Sequence, residues 1–313
     1  MTPTRDVLSF DRVVKKYGAT VAVDGLSFTV RRGEMFGLIG PDGAGKTTSI
    51  RLLCGLLHPD SGTIRVAGRD PVKDHRAITA SVGYLSQRFS LYGDLSIDEN
   101  IAFFAEIHGV SAYAARRDQL LEMTQLTKFR SRLADQLSGG MKQKLALACT
   151  LVHQPEVILL DEPTTGVDPV SRREFWKLLS RFLASGITIL MSTPYLDEAE
   201  RCTRVALVDR GRLLALDAPG NLRSSLPGTL VEVVVDDPRA AHDRLRADGV
   251  EAQVFGDRLH VWFKDVAPAV ADERARAVAD RIGATAVRPI TPSLEDVYIA
   301  RLTDAAHAQS GRA

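Results

Sequence analysis

The chain has 313 residues, 45% of them hydrophobic, which is enough for one large core and a small additional domain. Acidic and basic residues are intermixed and leave a formal net charge of +1, so the composition gives no indication of a nucleic-acid partner. No stretch approaches ~18 uncharged apolar residues and residues 1–6 contain no signal-peptide core, so we expect no membrane span in this chain.

Residues 7–36 alternate between apolar and polar side chains, which predicts an antiparallel sheet at the edge of the fold. Tyr17 is predicted to end one of its strands. Residues 34–40 form a short apolar run that ends in glycine and predicts a buried parallel strand. Because residues 47–54 have apolar positions at helical spacing, a strand–loop–helix unit is predicted here.

The loop of this unit reads Gly-Pro-Asp-Gly-Ala-Gly-Lys-Thr-Thr and matches the phosphate-binding pattern G-x-x-x-x-G-K-[ST]. Glycines let backbone N–H groups turn toward phosphate oxygens, the lysine adds a positive charge, and the first threonine offers a hydroxyl to Mg²⁺. The alternative, a glycine-rich turn with an incidental lysine, is disfavoured by the flanking strand and helix. The predicted nucleoside triphosphate site comprises Gly40, Gly43, Ala44, Gly45, Lys46, Thr47 and Thr48.

Residues 88–136 are predicted to be helical, with apolar residues at helical spacing over 97–109 and 112–126. Ser96 and Glu99 form a capping box at the start of the first of these helices. The run Leu-Ser-Gly-Gly-Met-Lys-Gln then places a Ser-Gly-Gly turn at the head of another helix. Because the first N–H groups of a helix are unpaired, this turn predicts a second anion site, made by Ser138, Gly139 and Gly140.

Residues 157–163 read Val-Ile-Leu-Leu-Asp-Glu-Pro and predict a strand that is buried on both faces. Asp161 and Glu162 lie at its carboxyl end, where open α/β sheets bind their ligands, beside the phosphate loop. Two surface acids at a strand end are the alternative. The continuation Thr-Thr-Gly-Val-Asp-Pro, which contains Asp168, favours the functional interpretation.

Together these motifs resemble the ATP-binding subunit of ABC transporters over most of the first 220 residues. The resemblance implies an α/β P-loop NTPase of the ABC type, with a parallel core sheet, an antiparallel edge sheet and a helical insert over about residues 88–145. It also implies ATP and Mg²⁺ as cofactors. Two cassettes would sandwich ATP, so that each completes the other's site.

The resemblance assigns a role to each candidate residue. Lys46, Glu162 and Gln87 would be catalytic, with Glu162 polarising the attacking water. Mg²⁺ would be held by Thr47, Gln87 and, through water, Asp161. The nucleotide-binding set comprises the phosphate-loop residues, Gln87, Asp161, Tyr17 stacking on adenine, Ser138, Gly139 and Gly140 meeting the γ-phosphate held by the other subunit, and Asp168 signalling to that subunit.

One residue departs from the family pattern. The predicted strand over residues 186–193 should run into a histidine that contacts the γ-phosphate, but Pro194 stands there. Proline has neither a side-chain donor nor a backbone N–H, so it cannot replace that contact. Slow hydrolysis is expected; the alternative is a loop built around proline in which Ser192, Thr193 or Tyr195 orients the phosphate.

Residues 221–313 are predicted to form a separate C-terminal accessory domain, after an ATPase domain over residues 1–220. Strand and helix patterns follow in the order β-α-β-β-α-β, which is a ferredoxin-like α+β plan. The ending Pro-Ser-Leu-Glu-Asp-Val-Tyr-Ile-Ala-Arg resembles the tail of exporter ATPases of the daunorubicin-resistance kind. A packing or dimer-contact role is favoured, with ligand sensing as the alternative.

The resemblance therefore implies the ATP-hydrolysing subunit of an ABC-2-type exporter, peripheral on the cytoplasmic face of the plasma membrane. Its expected partners are a second copy or a paralogous ATPase subunit, a separate membrane permease and a periplasmic adaptor protein. A ribosome- or DNA-acting ATPase is set aside because the chain shows one cassette and no sustained heptads. A nucleotide-gated subunit that scarcely hydrolyses ATP is the remaining alternative, on account of Pro194.

Overall fold

The computed structural model describes residues 6–87, 91–264 and 268–310. Residues 88–90, at the start of the predicted helical insert, lie outside the described residues, as do the first five and last three residues. The chain divides into two compact units, Met1–Pro219 and Gly220–Ala313.

The first unit contains, in chain order, β1 (Asp6–Tyr17), β2 (Thr20–Arg31), β3 (Met35–Ile39), α1 (Lys46–Leu53), β4 (Ser61–Val66), α2 (His75–Ser81), β5 (Val82–Leu85), α3 (Ile97–Ile107), α4 (Ala114–Thr124), α5 (Gly139–Leu151), β6 (Val157–Asp161), α6 (Pro169–Ala184), β7 (Thr188–Thr193), α7 (Leu196–Ala199), β8 (Arg204–Asp209) and β9 (Arg212–Asp217). After α8 (Pro219–Ser224) come β10 (Thr229–Val234), α9 (Pro238–Ala247), β11 (Ala252–Phe255), β12 (Arg258–Phe263), α10 (Pro268–Ile282), β13 (Ala286–Ile290) and α11 (Leu294–Ser310).

A six-stranded sheet in the order β5-β6-β7-β3-β8-β9 forms the centre of the first unit. Its strands run parallel except β9, which is antiparallel to β8. Every residue of β3, β6 and β7 is buried, as expected for strands covered on both faces. Because parallel strands end at the same edge, the loops that follow β3, β5, β6 and β7 are brought together there.

The antiparallel edge sheet has the order β2-β1-β4. The prediction for residues 7–36 gave two of its strands and missed β4, which comes from beyond the phosphate loop. Phe28 stacks on Phe10 with ring centroids 4.7 Å apart and on Phe36 with centroids 5.3 Å apart. Since Phe36 belongs to β3, this stack joins the edge sheet to the parallel sheet.

Both predicted helices of the insert are present as α3 and α4, and α3 has the predicted capping box of Ser96 and Glu99. The side-chain amide of buried Asn100 donates to the carbonyls of Tyr92, Leu95 and Ser96 at 3.0, 3.1 and 3.0 Å. These bonds fix the loop that enters α3. Across the described ranges, no helix combines the length and apolarity that a bilayer crossing requires.

The second unit has the predicted β-α-β-β-α-β order and one antiparallel sheet, β11-β12-β10-β13. Glu232 of β10 accepts hydrogen bonds from Arg258 Nη1 at 2.9 Å and Arg288 Nε at 2.7 Å, which ties three strands together. His260 Nδ1 lies 2.7 Å from Asp296 Oδ1 and links the sheet to α11. The core of this unit includes Val231, Val233, Leu245, Leu259, Val261 and Ala275.

A stacked histidine pair lies in the first unit. The rings of His108 and His153 are 3.8 Å apart with an interplanar angle of 6°. Burial, together with the neighbouring His108, lowers the pKa of His153 from 6.5 to about 4. The unfolded chain binds a proton at His153 more tightly than the folded protein does. The contribution of neutral His153 to the free energy of unfolding is therefore complete above about pH 6.5 and is lost as the pH falls toward 4.

We therefore expect the free energy of unfolding to fall by roughly 1–2 kcal/mol more in the wild type than in His153→Gln between pH 7 and pH 5. Urea denaturation at the two pH values measures this difference. His58→Gln, at an exposed position, is the matched control and should keep the wild-type pH dependence. Identical pH dependence in the wild type and His153→Gln would contradict the assignment.

Candidate functional site

The phosphate loop connects β3 to α1, as predicted, and its glycines are required by packing. A Cβ atom at Gly40 would lie 2.2 Å from the carbonyl oxygen of Val208 on β8. One at Gly45 would lie 2.3 Å from the carbonyl oxygen of Ala22 on β2, and Gly45 also has φ 95°. At position 43 the reason is different: a Cβ atom would face open space, but the φ of 79° favours glycine. The loop is therefore shaped by the strands behind it.

Lys46 is 4% exposed and is held inside the loop. Its Nζ donates to the carbonyl oxygens of Gly40 at 2.8 Å and Pro41 at 3.0 Å. The same nitrogen lies 3.0 Å from Glu162 Oε1. Because a buried ammonium group needs a compensating anion, Glu162 stabilises the charge of Lys46. A triphosphate in the loop would supply that negative charge instead.

The predicted Mg²⁺ ligands Thr47 and Asp161 meet directly. Thr47 Oγ1 donates to Asp161 Oδ1 at 3.0 Å, and Ser192 Oγ donates to the same oxygen at 2.8 Å. Within residues 6–87, 91–264 and 268–310, no group of three His, Cys, Asp or Glu side chains could hold a metal alone. A hydroxyl and a carboxylate beside a phosphate loop fit Mg²⁺, which binds one or two carboxylates together with substrate phosphates.

Glu162 occupies a strained backbone position, with φ 49°. Its N–H lies 3.0 Å from Ser192 Oγ and 3.2 Å from the Ser192 carbonyl oxygen. The second carboxylate oxygen, Oε2, accepts from Gln87 Nε2 at 3.2 Å and Thr165 Oγ1 at 3.4 Å. Glu162 therefore connects the phosphate loop, through Lys46, to the loop that follows β5.

The Ser-Gly-Gly turn of residues 138–140, called the signature turn from here on, opens α5 as predicted. Ser138 is the N-cap and accepts from the Met141 N–H at 3.4 Å. A Cβ atom at Gly140 would lie 2.3 Å from Ser171 Oγ, so glycine is needed where α5 meets α6. Fully buried Gln143 donates its amide to the carbonyl oxygen of Pro163. These contacts fix the signature turn relative to the loop after Glu162.

Asp168 and Tyr17 lie at exposed positions. Asp168 caps α6 by accepting from the N–H groups of Val170 and Ser171, each at 3.0 Å, and the hydrogen bonds from Ser171 lower its pKa. Tyr17 is 47% exposed at the turn between β1 and β2. In the described part of the chain, no hydrogen bond or ion pair joins Ser138, Gly139, Gly140 or Asp168 to Lys46 or Thr47. Thr48 is half-buried on α1 and Ala44 is buried in the loop.

The hydroxyl groups of Ser192 and Thr193, which precede Pro194, donate to carboxylates. Ser192 donates to Asp161, and Thr193 Oγ1 donates to Glu198 Oε2 at 2.7 Å. Sequence reasoning missed Ser192 as a partner of Asp161, Gln143 as a partner of the loop, and Glu198. No sequence signal separates Glu198 from the exposed acids around it in the run Asp-Glu-Ala-Glu.

A phosphate loop after β3, with an acidic pair at the end of β6, defines the class of P-loop nucleoside triphosphatases. Comparison with known proteins narrows this class. The model of the family described as ABC transporter matches residues 23–165. A solved structure of an ATP-binding subunit of an ABC transporter superposes with a TM-score of 0.64 at 30% identity, over 70% of this chain and 92% of that one.

Two curated relatives are similar over most of the chain. One is the probable multidrug ABC transporter ATP-binding protein YbhF of Escherichia coli (strain K12), 41% identical over 84% of this chain and 43% of its own length. The other is the Nod factor export ATP-binding protein I of Paraburkholderia xenovorans (strain LB400), 40% identical over 95% of this chain and 96% of its own length. The chain thus spans less than half of the first relative and nearly all of the second. It belongs to the ABC transporter family and has the fold of that family's ATP-binding domain.

Lys46→Ala should lower the affinity for a fluorescent ATP analogue by ~100-fold or more, because charge-assisted hydrogen bonds contribute about 1.5–3 kcal/mol each. Fluorescence titration measures the loss, and circular dichroism checks that the variant is folded. Lys177→Ala, at an exposed lysine on α6, serves as control and should bind like the wild type. Undiminished affinity in folded Lys46→Ala would show that the site was misassigned.

Proposed function

We propose that this chain hydrolyses ATP to power export through a separate ABC-2-type membrane permease. The observation that carries the proposal is the cluster in which Glu162 contacts both Lys46 and Gln87 beside the Thr47–Asp161 pair. Phosphoryl transfer needs positioning and charge neutralisation above all, and these side chains provide both.

Each side chain of this cluster has its own role in the proposed reaction. Lys46 and the loop N–H groups would bind the β- and γ-phosphates. Once phosphate replaces it beside Lys46, the Glu162 carboxylate becomes available to accept a proton from the attacking water. Thr47, Gln87 and, through water, Asp161 would hold Mg²⁺, which would supply charge neutralisation at the phosphates.

The active form in this proposal is a dimer of two such cassettes, from an identical or a paralogous chain. Ser138 and Gly139 are exposed at the start of α5, and Asp168 is exposed at the start of α6. Among the residues that the structure describes, no hydrogen bond joins the signature turn to Lys46 or Thr47 of its own phosphate loop, so its N–H groups are available to the γ-phosphate on a second subunit.

Export is favoured by the names of the relatives, which refer to multidrug transport and to Nod factor export. In this proposal the chain sits on the cytoplasmic face of the plasma membrane, beneath its permease, with a periplasmic adaptor completing the assembly. ATP binding closes the dimer, and the helical insert passes that motion to the permease.

The C-terminal residues 221–313 are proposed to form an accessory domain that packs or dimerises, after an ATPase domain over residues 1–220. The supporting observation is their own sheet and core, including buried Val231, Val261 and Leu245. No ligand chemistry is assigned to it.

A slowly hydrolysing, nucleotide-gated subunit is the second candidate function, and Pro194 supports it. Ser192 and Thr193 direct their hydroxyls to Asp161 and Glu198, so neither is free to replace a histidine donor. Both candidate functions share the same nucleotide site and differ in turnover.

Glu162→Gln should keep ATP binding and accumulate a closed dimer, because the carboxylate is needed for water attack and not for affinity. Gel filtration with ATP measures the dimer. Adding Ser138→Arg should prevent it by placing a bulky cation on the signature turn, whereas Ser138→Ala keeps the N–H groups and should allow it. An ATP-bound monomer of Glu162→Gln would contradict the composite site.

Pro194→His should raise the steady-state rate of phosphate release while changing the KM for ATP little, because one preorganised contact to a transition state changes rates by about 10²–10³. The gain requires that the turn tolerate the loss of the fixed φ of proline. A wild type that already turns over rapidly, with a histidine variant no faster, would contradict an impaired site and remove the second candidate.

A further inference from the structure

A buried carboxylate lies at the carboxyl edge of the parallel sheet, outside the cluster described above. Glu198 is 1% exposed, and its two oxygens accept four side-chain hydrogen bonds. The donors are Thr164 Oγ1 at 2.6 Å, Arg172 Nε at 2.7 Å and Trp176 Nε1 at 3.4 Å on Oε1, and Thr193 Oγ1 at 2.7 Å on Oε2. Its charge is balanced by Arg172, which makes the buried anion stable.

These donors come from three segments of the ATP site. Thr164 follows Glu162 by two residues, in the loop that leads to Asp168. Two donors lie on α6, the helix that Asp168 caps. Thr193 ends β7 and immediately precedes Pro194. Glu198 therefore holds the loop of the predicted general base, the start of α6 and the turn at Pro194 on one carboxylate.

The turn at Pro194 is fixed from several directions. Thr193 Oγ1 donates to Glu198 and also accepts from the Tyr195 N–H at 3.1 Å. The Arg172 guanidinium lies 4.7 Å from the centroid of the Tyr195 ring. The carbonyl of Thr193 accepts from the Gly40 N–H of the phosphate loop at 3.4 Å. A shift of this turn would therefore change its hydrogen bond to the phosphate loop.

We propose that Glu198 is a positioning residue for ATP hydrolysis, an inference that rests on the proposed hydrolytic function. It holds the Glu162 loop and the Pro194 turn at a fixed separation around the γ-phosphate. Pro194 stands where a histidine would contact the phosphate itself. The rigid turn at Pro194 instead contributes to the shape of the site, and Glu198 fixes the position of that turn. Movement of α6 at the partner-facing Asp168 is transmitted to both segments through the same carboxylate.

The contacts of Glu198 suit a carboxylate. A carboxylate is purely an acceptor, and all four of its partners here are donors. Glutamine of the same size can keep an oxygen toward Arg172 and donate its NH₂ group to the Thr193 hydroxyl, but it loses the negative charge that balances Arg172, so the charge-assisted hydrogen bond from Arg172 is weakened.

The test compares four variants of the full chain by steady-state phosphate release. Glu198→Gln and Thr193→Val should each lower kcat about tenfold, the order seen when outer positioning contacts are removed, with KM for ATP within about twofold. Thr193→Ser keeps the donating hydroxyl and should keep the wild-type kcat. Asp197→Asn is the matched acidic control, because Asp197 also accepts from Arg172, at 3.1 Å, but its side chain is 72% exposed.

The kcat and KM values of these variants distinguish the possible outcomes. Equal kcat in folded Thr193→Val and Thr193→Ser would overturn the inference, and the pair decides it even if Glu198→Gln does not fold. A loss in KM alone would overturn it too, since it would place Glu198 in nucleotide binding. A wild type without phosphate release contradicts the proposed function itself, which is a separate result.

Discussion

The buried ion pair between Lys46 and Glu162, 3.0 Å apart, is the interaction on which the site depends. An ammonium group inside a backbone loop is costly without an anion, and the carboxylate at the end of β6 supplies it. The phosphate loop and the predicted general base are therefore bound to each other before any phosphate arrives. In the proposed function, phosphate binding would release the Glu162 carboxylate, because the phosphate and Glu162 compete for the same nitrogen of Lys46.

This pair can form because the parallel sheet ends its strands at one edge. The phosphate loop follows β3 and the acidic pair ends β6, with β7 between them in the sheet. The loop shape is set from behind, where carbonyl oxygens of Val208 and Ala22 leave room only for glycine at positions 40 and 45. The antiparallel sheet thus contributes to the site through β2, and the phenylalanine stack holds that sheet in place.

The signature turn and Asp168, which are proposed to face a partner subunit, are organised differently. The signature turn and the start of α6 are exposed, yet both connect to the loop after Glu162, through Gln143 and Pro163 on one side and Arg172 and Glu198 on the other. In the proposed dimer, these side-chain hydrogen bonds would connect the half-site that a subunit completes for its partner to its own hydrolytic half-site.

Local sequence determined the phosphate loop, the acidic strand end, the signature turn and the capped insert helix, because each is a short pattern whose chemistry lies within a few consecutive residues. The order of elements in the second unit was also predictable, since alternating periodicities specify strands and helices one at a time. What the sequence could not supply was the pairing of β4 with β1, the closure of Lys46 on Glu162, and the burial of Glu198 among residues 5 to 34 positions away. Those features depend on which strand ends meet at the sheet edge, and only the tertiary structure decides that. From sequence alone, an acidic residue in an acidic run such as that around Glu198 is predicted to be solvent-exposed. Its burial depends on the donors that the fold places around it.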